Sequence, residues 1–381
     1  MRIPQRFVCS YAQNVGIYLK NVLIMRRDDD NKTFIMKIAI QKTKLSFSDR
    51  WITYCETEGI PFKIVDCYRP DIMQQLHGCN IFMWHFSHVS AKDVLFARQL
   101  LFAVEASGRM VFPDYHTMWH FDDKVGQKYL LEGIGAPLVP TWVFYDKSEA
   151  LEWTQQNSFP KVFKLRGGAG SANVQLARTR SDGEKLIRKA FGRGFSQYNA
   201  AANLKERIRK YCVGKTDLYD VLKGFARIAY PTHHAVVAGR DRGYVYFQEF
   251  ISGNDHDIRV IVIGDRAFAI KRMVREHDFR ASGSGNILYE KKHFDERTVR
   301  LALDLAEKLN TQCVAFDFIY QDKEPLLVEM SYGFMKEGYD PCVGYWDKDL
   351  NWHQGTFNPY GWMVKNLIND QTTNLTKKDF S

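Results

Sequence analysis

Apolar runs separated by polar, helix-like segments fill residues 36–115. KIAIQ, PFKIVDC, NIFMWHF and MVFPD have the pattern of short buried strands, and the segments between them have the pattern of crossover helices. This alternation predicts an open parallel sheet, in which ligands bind beyond the carboxyl ends of the strands. Residues 1–35 precede the first strand and are predicted to form a loose N-terminal extension.

A helix and a strand are predicted next, in a bridge over residues 116–160. FDDKVGQKYLLEGIG has a helical pattern that ends at Gly133 and Gly135, and APLVPTWVFYD follows as a strand. Lys124 lies near the start of the helix, where the helix dipole disfavours a lysine. Its position hints at an anionic partner, and an ordinary surface lysine is the alternative.

A glycine-rich stretch, VFKLRGGAGSANV, occupies residues 162–174. Lys164 interrupts its apolar run, and Gly167, Gly168 and Gly170 follow within a few residues. Glycine loses the most backbone freedom on folding, so such a cluster indicates a sharp turn or a close approach to a ligand. The stretch therefore predicts either a loop that cradles phosphates or a plain hairpin turn.

Two strand-like runs flank Gly264–Asp265 in the segment DIRVIVIGDRAFAIKRMV. A two-residue turn at that point places Asp257 opposite Arg272, and Arg259 lies on the same side of the sheet as both. These residues form either a cross-strand ion pair or the lining of a phosphate cleft.

A second hairpin is predicted in TQCVAFDFIYQDKEPLLVEMSYG, with QDKEP as a five-residue turn. If Tyr320 faces Leu326, Asp317 faces Glu329, and their Cβ atoms lie about 5 Å apart. Because like charges repel in an apolar setting, a cation such as Mg²⁺, or Mn²⁺ in its place, is predicted between them, with Ser331 on the same face. Exposed acids at a sheet edge, or a slipped register, are the alternatives.

Composition narrows the choice of function classes. The chain has 381 residues, of which 45% are hydrophobic and 25% charged, and it has no apolar run long enough to predict a membrane span. The net charge of +9 is concentrated in residues 178–215, which hold eleven lysines and arginines but three acidic residues. Anionic substrates explain this segment better than nucleic acid, because few aromatic residues accompany the charges. Seven cysteines without a CxxC pair predict a reduced, cytoplasmic protein.

An ordered set of motifs makes the sequence similar to the ATP-grasp superfamily, over roughly residues 36–366. The resemblance is greatest to carboxylate–amine ligases such as the ribosomal-protein glutamate ligase and D-alanine–D-alanine ligase. The motifs in chain order are DK at 123–124, VFKLRGGAGSANV, QEFI at 248–251, DIRVIVIGD at 257–265, FRASGSGN at 279–286, FDF at 316–318 and VEMSYG at 328–333.

The resemblance implies roles for the residues that match those motifs. ATP and a divalent ion would be bound between a lid and a C-terminal domain, and Ser331 stands where the family commonly has asparagine. The implied nucleotide-binding residues are Lys124, Lys164, Gly167, Gly168, Gly170, Ser171, Glu249, Phe250, Asp257, Ala281 and Ser282. The implied metal ligands are Asp317, Glu329 and Ser331, and the arginines predicted to be catalytic are Arg259, Arg272 and Arg280.

The implied fold is α/β and α+β, an ATP-grasp fold with an N-terminal open parallel domain. The predicted regions are the extension 1–35, the α/β domain 36–115, the bridge and lid 116–241 and the C-terminal subdomain 242–381. The implied activity is ligation of a carboxylate to an amine through an acyl phosphate, with a small-molecule, peptide-linked or sugar-linked substrate. A homodimer is one assembly that fits. An ATP-grasp kinase, a pseudoenzyme and a basic nucleic-acid-binding module are the alternatives.

Overall fold

Two compact units make up the fold. Unit 1 comprises Met1–His85, Leu100–Asp114 and Asn358–Ser381, and unit 2 comprises Phe86–Gln99 and Tyr115–Phe357. The computed structural model describes residues 24–27, 33–168, 173–196, 200–212, 214, 216–230, 239–275, 279–281, 283 and 285–378.

Unit 1 is built on a four-stranded parallel sheet, which confirms the strand–helix alternation predicted for residues 36–115. Its strand order is β4-β3-β5-β6, and the central strand β3 is fully buried. The strands are β3 (Ile38–Gln41), β4 (Phe62–Val65), β5 (Ile81–Met83) and β6 (Met110–Phe112). The helices are α1 (Ser48–Glu58), α2 (Ile72–Gln75) and α3 (Ala91–Ala106), the last of which continues from unit 2.

Both ends of the described chain also belong to unit 1. β1 (Ile24–Arg27) and β2 (Thr33–Ile35) form a small antiparallel pair within the predicted extension. The C-terminal helix α11 (Pro359–Lys378) packs on α1, where an added Cβ at Gly361 would lie 2.7 Å from the Tyr54 ring. The domain boundaries predicted from the sequence place this helix in the C-terminal subdomain, 242–381, whereas in the structure it belongs to unit 1.

Unit 2 contains an antiparallel sheet that we call the lid sheet, with the order β7-β12-β8-β9. One of its faces is covered by α6 and α7, and the core there contains Trp153, Phe163, Ile187 and Phe247. The strands are β7 (Thr141–Phe144), β8 (Lys161–Lys164), β9 (Val174–Ala177) and β12 (Val245–Glu249). The helices are α4 (Tyr115–Met118), α5 (Lys124–Gly133), α6 (Lys147–Gln156) and α7 (Arg180–Ala190).

Between α7 and β12 the chain forms a helical insertion. Its base is the short antiparallel pair β10 (Phe195–Ser196) and β11 (Arg240–Asp241), and it contains α8 (Ala200–Cys212) and α9 (Leu218–Ala229). Most of residues 178–215, in which the positive charge is concentrated, lie on α7 and α8. Across all the helices that the structure describes, none combines the length and apolar composition needed to cross a lipid bilayer.

The largest sheet of unit 2 has the order β17-β16-β13-β14-β18-β19, and β15 pairs with β14. Because side chains alternate along a strand, Val260 and Val262 face helix α10, whereas Asp257 and Arg259 face the opposite side. The strands are β13 (His256–Ile263), β14 (Arg266–Met273), β15 (Ile287–Leu288), β16 (Cys313–Gln321), β17 (Glu324–Ser331), β18 (Gly344–Asp347) and β19 (Trp352–Gln354), and α10 spans Glu296–Leu309.

Candidate nucleotide and metal site

Two carboxylates face each other on the side of the large sheet that lies opposite to α10. Asp317 on β16 pairs directly with Glu329 on β17, as the sequence predicts. The predicted pairing of Tyr320 with Leu326 is wrong, because Tyr320 faces Pro325. The turn is shorter than predicted and has two central residues in the left-handed conformation, at φ angles of 52° and 68° for Asp322 and Lys323.

A β-bulge restores the register that the short turn displaces. Phe318 pairs with Leu327 while Asp317 pairs with Glu329, which leaves Val328 as the extra residue. Leu327 and Met330 are three residues apart and would face opposite sides of a regular strand, but here both are buried in the core. The bulge therefore keeps the apolar residues in the core and the carboxylate of Glu329 on the other face.

Two arginines hold the carboxylate of Asp317. Arg259 donates from Nε at 2.5 Å and from Nη2 at 3.0 Å, and Arg272 Nη2 lies 3.1 Å from Oδ2. Burial alone would raise the pKa of Asp317, but the two guanidinium groups hold it below its usual value. Arg272 also pairs with Asp257, whose two carboxylate oxygens accept hydrogen bonds from it at 2.7 and 2.6 Å.

The predicted Asp257–Arg272 pairing is confirmed, together with the turn at Gly264–Asp265 that sets it. Desolvation raises the pKa of Asp257, and Arg272 opposes that rise. Since both oxygens of Asp257 are bonded to Arg272, this acid fixes the arginine that contacts Asp317. Its implied part in nucleotide binding stays a prediction.

Two lysines approach the same carboxylates from the lid side of unit 2. Lys124 donates to the Gly168 carbonyl at 2.8 Å, and its Nζ lies 3.7 Å from Glu329 Oε1. Lys164 is 5% exposed, and desolvation lowers its pKa to about 8, with the positive charge of Lys124 acting in the same direction. The carboxylates of Glu329 and Asp317 oppose this shift, so both lie close enough to Lys164 to interact with it.

The start of the glycine loop fits against the segment that precedes α5. Gly168 has a φ of 120°, which side-chain-bearing residues rarely adopt, and its N–H donates to Asp122 Oδ1 at 2.7 Å. A Cβ on Gly167 would lie 3.0 Å from the same carboxylate. The backbone conformation therefore favours glycine at 168, and close packing against Asp122 favours glycine at 167. Gly170 and Ser171 lie outside the described residues.

An ion pair that the sequence analysis missed lies where β12 ends. Lys161 Nζ contacts both carboxylate oxygens of Glu249, at 2.9 and 2.7 Å, and lies 5.3 Å from the centre of the Trp142 ring. Lys161 is 2% exposed, and a lysine at a buried strand position is the signal that sequence reasoning could have used. Glu249 is one of the nucleotide-binding residues implied by the sequence, and in the structure its carboxylate is paired with Lys161.

The remaining predicted residues lie near the ends of these strands. The ring of Phe250 packs edge-on against the ring of Phe279. The guanidinium of Arg280 lies 5.9 Å from the centre of the Phe279 ring. Ala281 is buried, and Ser282 lies outside the described residues. Ser331 bonds to the backbone of Gly333 through both its donor and its acceptor functions, at 3.0 and 3.2 Å.

A second residue missed from the sequence is Tyr339, which is buried beside Arg259. Desolvation raises the pKa of its hydroxyl, while the positive charges of Arg259 and Arg272 oppose the rise. Tyr339 lies in the loop after β17, outside any periodic pattern, so no sequence signal marks it. Together with Asp317, it gives Arg259 two partners.

The donor set of the site is suited to a hard divalent ion. Asp317 and Glu329 supply carboxylate oxygens, which Mg²⁺ prefers, and they face each other directly. Within the described residues, no group of three or more His, Cys, Asp or Glu side chains is arranged to hold a metal. An ion held here would therefore need further oxygens from a ligand such as a polyphosphate.

Comparisons with known proteins agree with this geometry. Residues 232–340 match the model of the RimK-like ATP-grasp domain. The structure is similar to D-alanine–D-alanine ligase from Bacillus anthracis complexed with ATP, with a TM-score of 0.52 and 10% identity over 90% of this chain and 99% of that one. The chain has an ATP-grasp fold. The family resemblance and the α/β and α+β fold class predicted from the sequence are therefore confirmed.

Two further proteins extend the comparison. The RimK domain protein from Sphaerobacter thermophilus has a TM-score of 0.51 and 13% identity over 87% of this chain and 98% of its own. The α-aminoadipate–LysW ligase LysX of Saccharolobus solfataricus is 25% identical over 224 residues, which are 58% of this chain. That match spans 65% of the relative's length, slightly less than two thirds.

Proposed function

We propose that the chain is an ATP-dependent, ADP-forming ligase that joins a carboxylate to an amine through an acyl phosphate. The observation that carries the proposal is the convergence of Lys124, Lys164 and the opposed carboxylates Asp317 and Glu329 beside the glycine loop. This combination fits a nucleotide and a divalent ion. Two of the three proteins compared above are named as ligases, and one of these names is α-aminoadipate–LysW ligase.

Each part of the site has a task in the proposed reaction. Lys124 and Lys164 would bind the phosphates of ATP, and the backbone at Gly167 and Gly168 would close over them. Asp317 and Glu329 would hold Mg²⁺, or Mn²⁺ in its place, which supplies charge neutralisation at the phosphates. Ser331 would contribute little to this ion, because its hydroxyl bonds to Gly333.

The carboxylate substrate needs activation because a carboxylate ion does not react with amines at neutral pH. Transfer of the γ-phosphoryl group forms an acyl phosphate and ADP, and attack by the amine then releases phosphate. Arg280 would stabilise the charge that develops on the transferred group. Arg259 and Arg272 are both engaged by the carboxylate of Asp317. We therefore assign to these two arginines the role of positioning Asp317. Closure of the lid sheet would exclude water, which hydrolyses acyl phosphates.

Isotope transfer tests this chemistry directly. With ¹⁸O in the carboxylate of a substrate, the label should appear in the released phosphate, and hydroxylamine should trap the acyl group as a hydroxamate. Arg280→Ala should slow the transfer by roughly 100- to 1,000-fold, as expected for the loss of one stabiliser of transition-state charge. Label found in AMP, or ADP release that no carboxylate or amine stimulates, would exclude the ligase.

The proposed partners are therefore a small-molecule carboxylate and a small-molecule amine. Phosphoryl transfer without an amide product would instead identify an ATP-grasp kinase, and ADP binding without turnover would identify a pseudoenzyme. Salt-dependent binding of DNA or RNA would support a nucleic-acid-binding module. Cytoplasmic location, a homodimer and the division at residues 36, 116 and 242 stay predictions.

A further inference from the structure

Both carboxylates that we assign to the metal already have positively charged partners. Asp317 is bonded to Arg259 and Arg272, and Glu329 lies 3.7 Å from the ammonium group of Lys124. All three cations have little exposure: 15%, 7% and 5% of their side chains respectively are accessible. Little water therefore screens these contacts.

The cations of the site slightly outweigh its acids. Lys164 is a fourth cation beside Lys124, Arg259 and Arg272, and Asp257 is a third carboxylate beside Asp317 and Glu329. When all seven groups are ionised, together they carry one net positive charge. A bare divalent ion would raise the charge to three in a poorly solvated place. An ion that arrives with a polyphosphate brings a net negative charge instead.

We propose that Lys124, Arg259 and Arg272 act as counter-ions of the metal-ligating carboxylates, so that the protein binds a divalent ion only together with a nucleotide. The inference rests on the proposed function in one respect, because it takes Asp317 and Glu329 as the metal ligands. It adds an order of assembly to that site, in which the chain's own cations occupy both ligands until the phosphates arrive.

Each counter-ion has another partner to which it can turn. Lys124 already donates to the Gly168 carbonyl at 2.8 Å, at the start of the loop that would cover the phosphates. Arg272 keeps two bonds to Asp257, and the charge of Arg259 acts on the buried hydroxyl of Tyr339. The Asp317 carboxylate can therefore rotate towards a metal ion while Arg272 stays paired with Asp257. We expect Lys124 to make the largest movement, because its contact with Glu329 is the longest.

Binding of Mn²⁺, followed by the electron paramagnetic resonance signal of the free ion, tests the proposal without turnover. The wild-type protein alone should bind Mn²⁺ weakly. With saturating ADP, and after subtraction of the Mn²⁺ that ADP binds in protein-free solution, binding to the protein should be at least about tenfold tighter. Lys124→Met should tighten Mn²⁺ binding by the protein alone about tenfold, since it removes the ammonium group that lies 3.7 Å from Glu329. Arg259→Met should act in the same direction, and its melting temperature shows whether it folds.

Lys128→Met is the matched control, because Lys128 lies on the same helix and pairs with Glu132 at 2.7 Å. It should leave Mn²⁺ binding unchanged. Equal Mn²⁺ affinity of the wild-type protein with and without ADP would overturn the counter-ion proposal, and so would unchanged Mn²⁺ affinity of Lys124→Met. Loss of the ADP-dependent Mn²⁺ site is expected in Glu329→Gln and in Asp317→Asn. If both variants keep that site, the metal assignment of the proposed function fails instead.

Discussion

Asp317 and Glu329 stand opposite each other on a hairpin whose register changes one residue further on. The extra residue of this bulge is Val328, which precedes Glu329 on β17. Its carbonyl accepts a hydrogen bond from Gln248 Nε2 at 3.3 Å. Gln248 lies on β12 of the lid sheet, and Leu327 bonds through both its N–H and its C=O to the segment that leads into β7. The bulge thus joins the carboxylate strand to the lid sheet within unit 2.

The arginine contacts reverse one expectation for Asp317→Asn. Two facing carboxylates alone would repel, and neutralising one would stabilise the protein. Because Asp317 is bonded to two buried arginines, we expect Asp317→Asn to lower the free energy of unfolding by about 2–4 kcal/mol. Urea denaturation of the metal-free protein measures this change.

Glu329→Gln is the matched comparison for that measurement. Glu329 is partly exposed and has one 3.7 Å contact with Lys124, so its neutralisation should change the free energy of unfolding by less than about 1 kcal/mol. A stabilised Asp317→Asn protein would show that repulsion outweighs the arginine contacts. Equal effects of the two substitutions would show that the arginine contacts of Asp317 add nothing to stability.

Local patterns predicted this site better than contacts between distant strands. The hairpin at Gly264–Asp265 was predicted correctly because alternating residues and a glycine turn fix its register. The turn at Asp322 and Lys323 contains no glycine, so its left-handed conformation could not be seen in the sequence. That error and the unforeseen bulge cancel, which is why Asp317 still faces Glu329. The contact of Arg259 with Asp317 depends on the pairing of β13 with β16, and no local pattern reveals it.

A second prediction concerns the ion pair between Lys161 and Glu249. Lys161→Met leaves a partly buried carboxylate without its cation at the end of β12, and we expect it to weaken ADP binding about tenfold. Isothermal titration with ADP measures this loss. The double variant Lys161→Met/Glu249→Gln should be more stable than Lys161→Met alone, because it removes the unpaired charge.

Lys147→Met provides the control for this pair, since Lys147 is an exposed residue at the start of α6. It should bind ADP as the wild-type protein does. Unchanged ADP affinity in Lys161→Met would mean that the pair supports the sheet and has no part in nucleotide binding.

A third prediction concerns the helical insertion. Ser196 and Arg240 pair at its base, so an Asn-Gly turn can replace residues 197–239 without moving β10 or β11. The described core of the lid sheet includes no side chain from α8 or α9. We expect the shortened protein to fold and to bind ADP within about threefold of the wild-type affinity. Loss of ADP binding in a folded variant would make the insertion part of the nucleotide site.

The last prediction follows from the pKa of Lys164, which burial lowers from its ordinary 10.5 to about 8. A phosphate near Lys164 would favour the ammonium form, so ADP binding should weaken as the pH rises through about 8 in the free protein. Between pH 8 and 10.5 the unfolded chain binds more protons at this residue than the folded chain does. The contribution of Lys164 to the free energy of unfolding therefore increases with pH in that window.

Two measurements check the signs of these effects. Calorimetric titration with ADP at pH 8.5, in buffers of different ionisation enthalpy, should reveal proton uptake in the wild-type protein and less uptake in Lys164→Met. Urea denaturation from pH 7.5 to 10 should give the wild-type protein a more positive slope of stability against pH than Lys164→Met has. Equal proton uptake and equal slopes in the two proteins would mean that Lys164 keeps its proton across this range, and that its charge is balanced by Glu329 and Asp317 despite its burial.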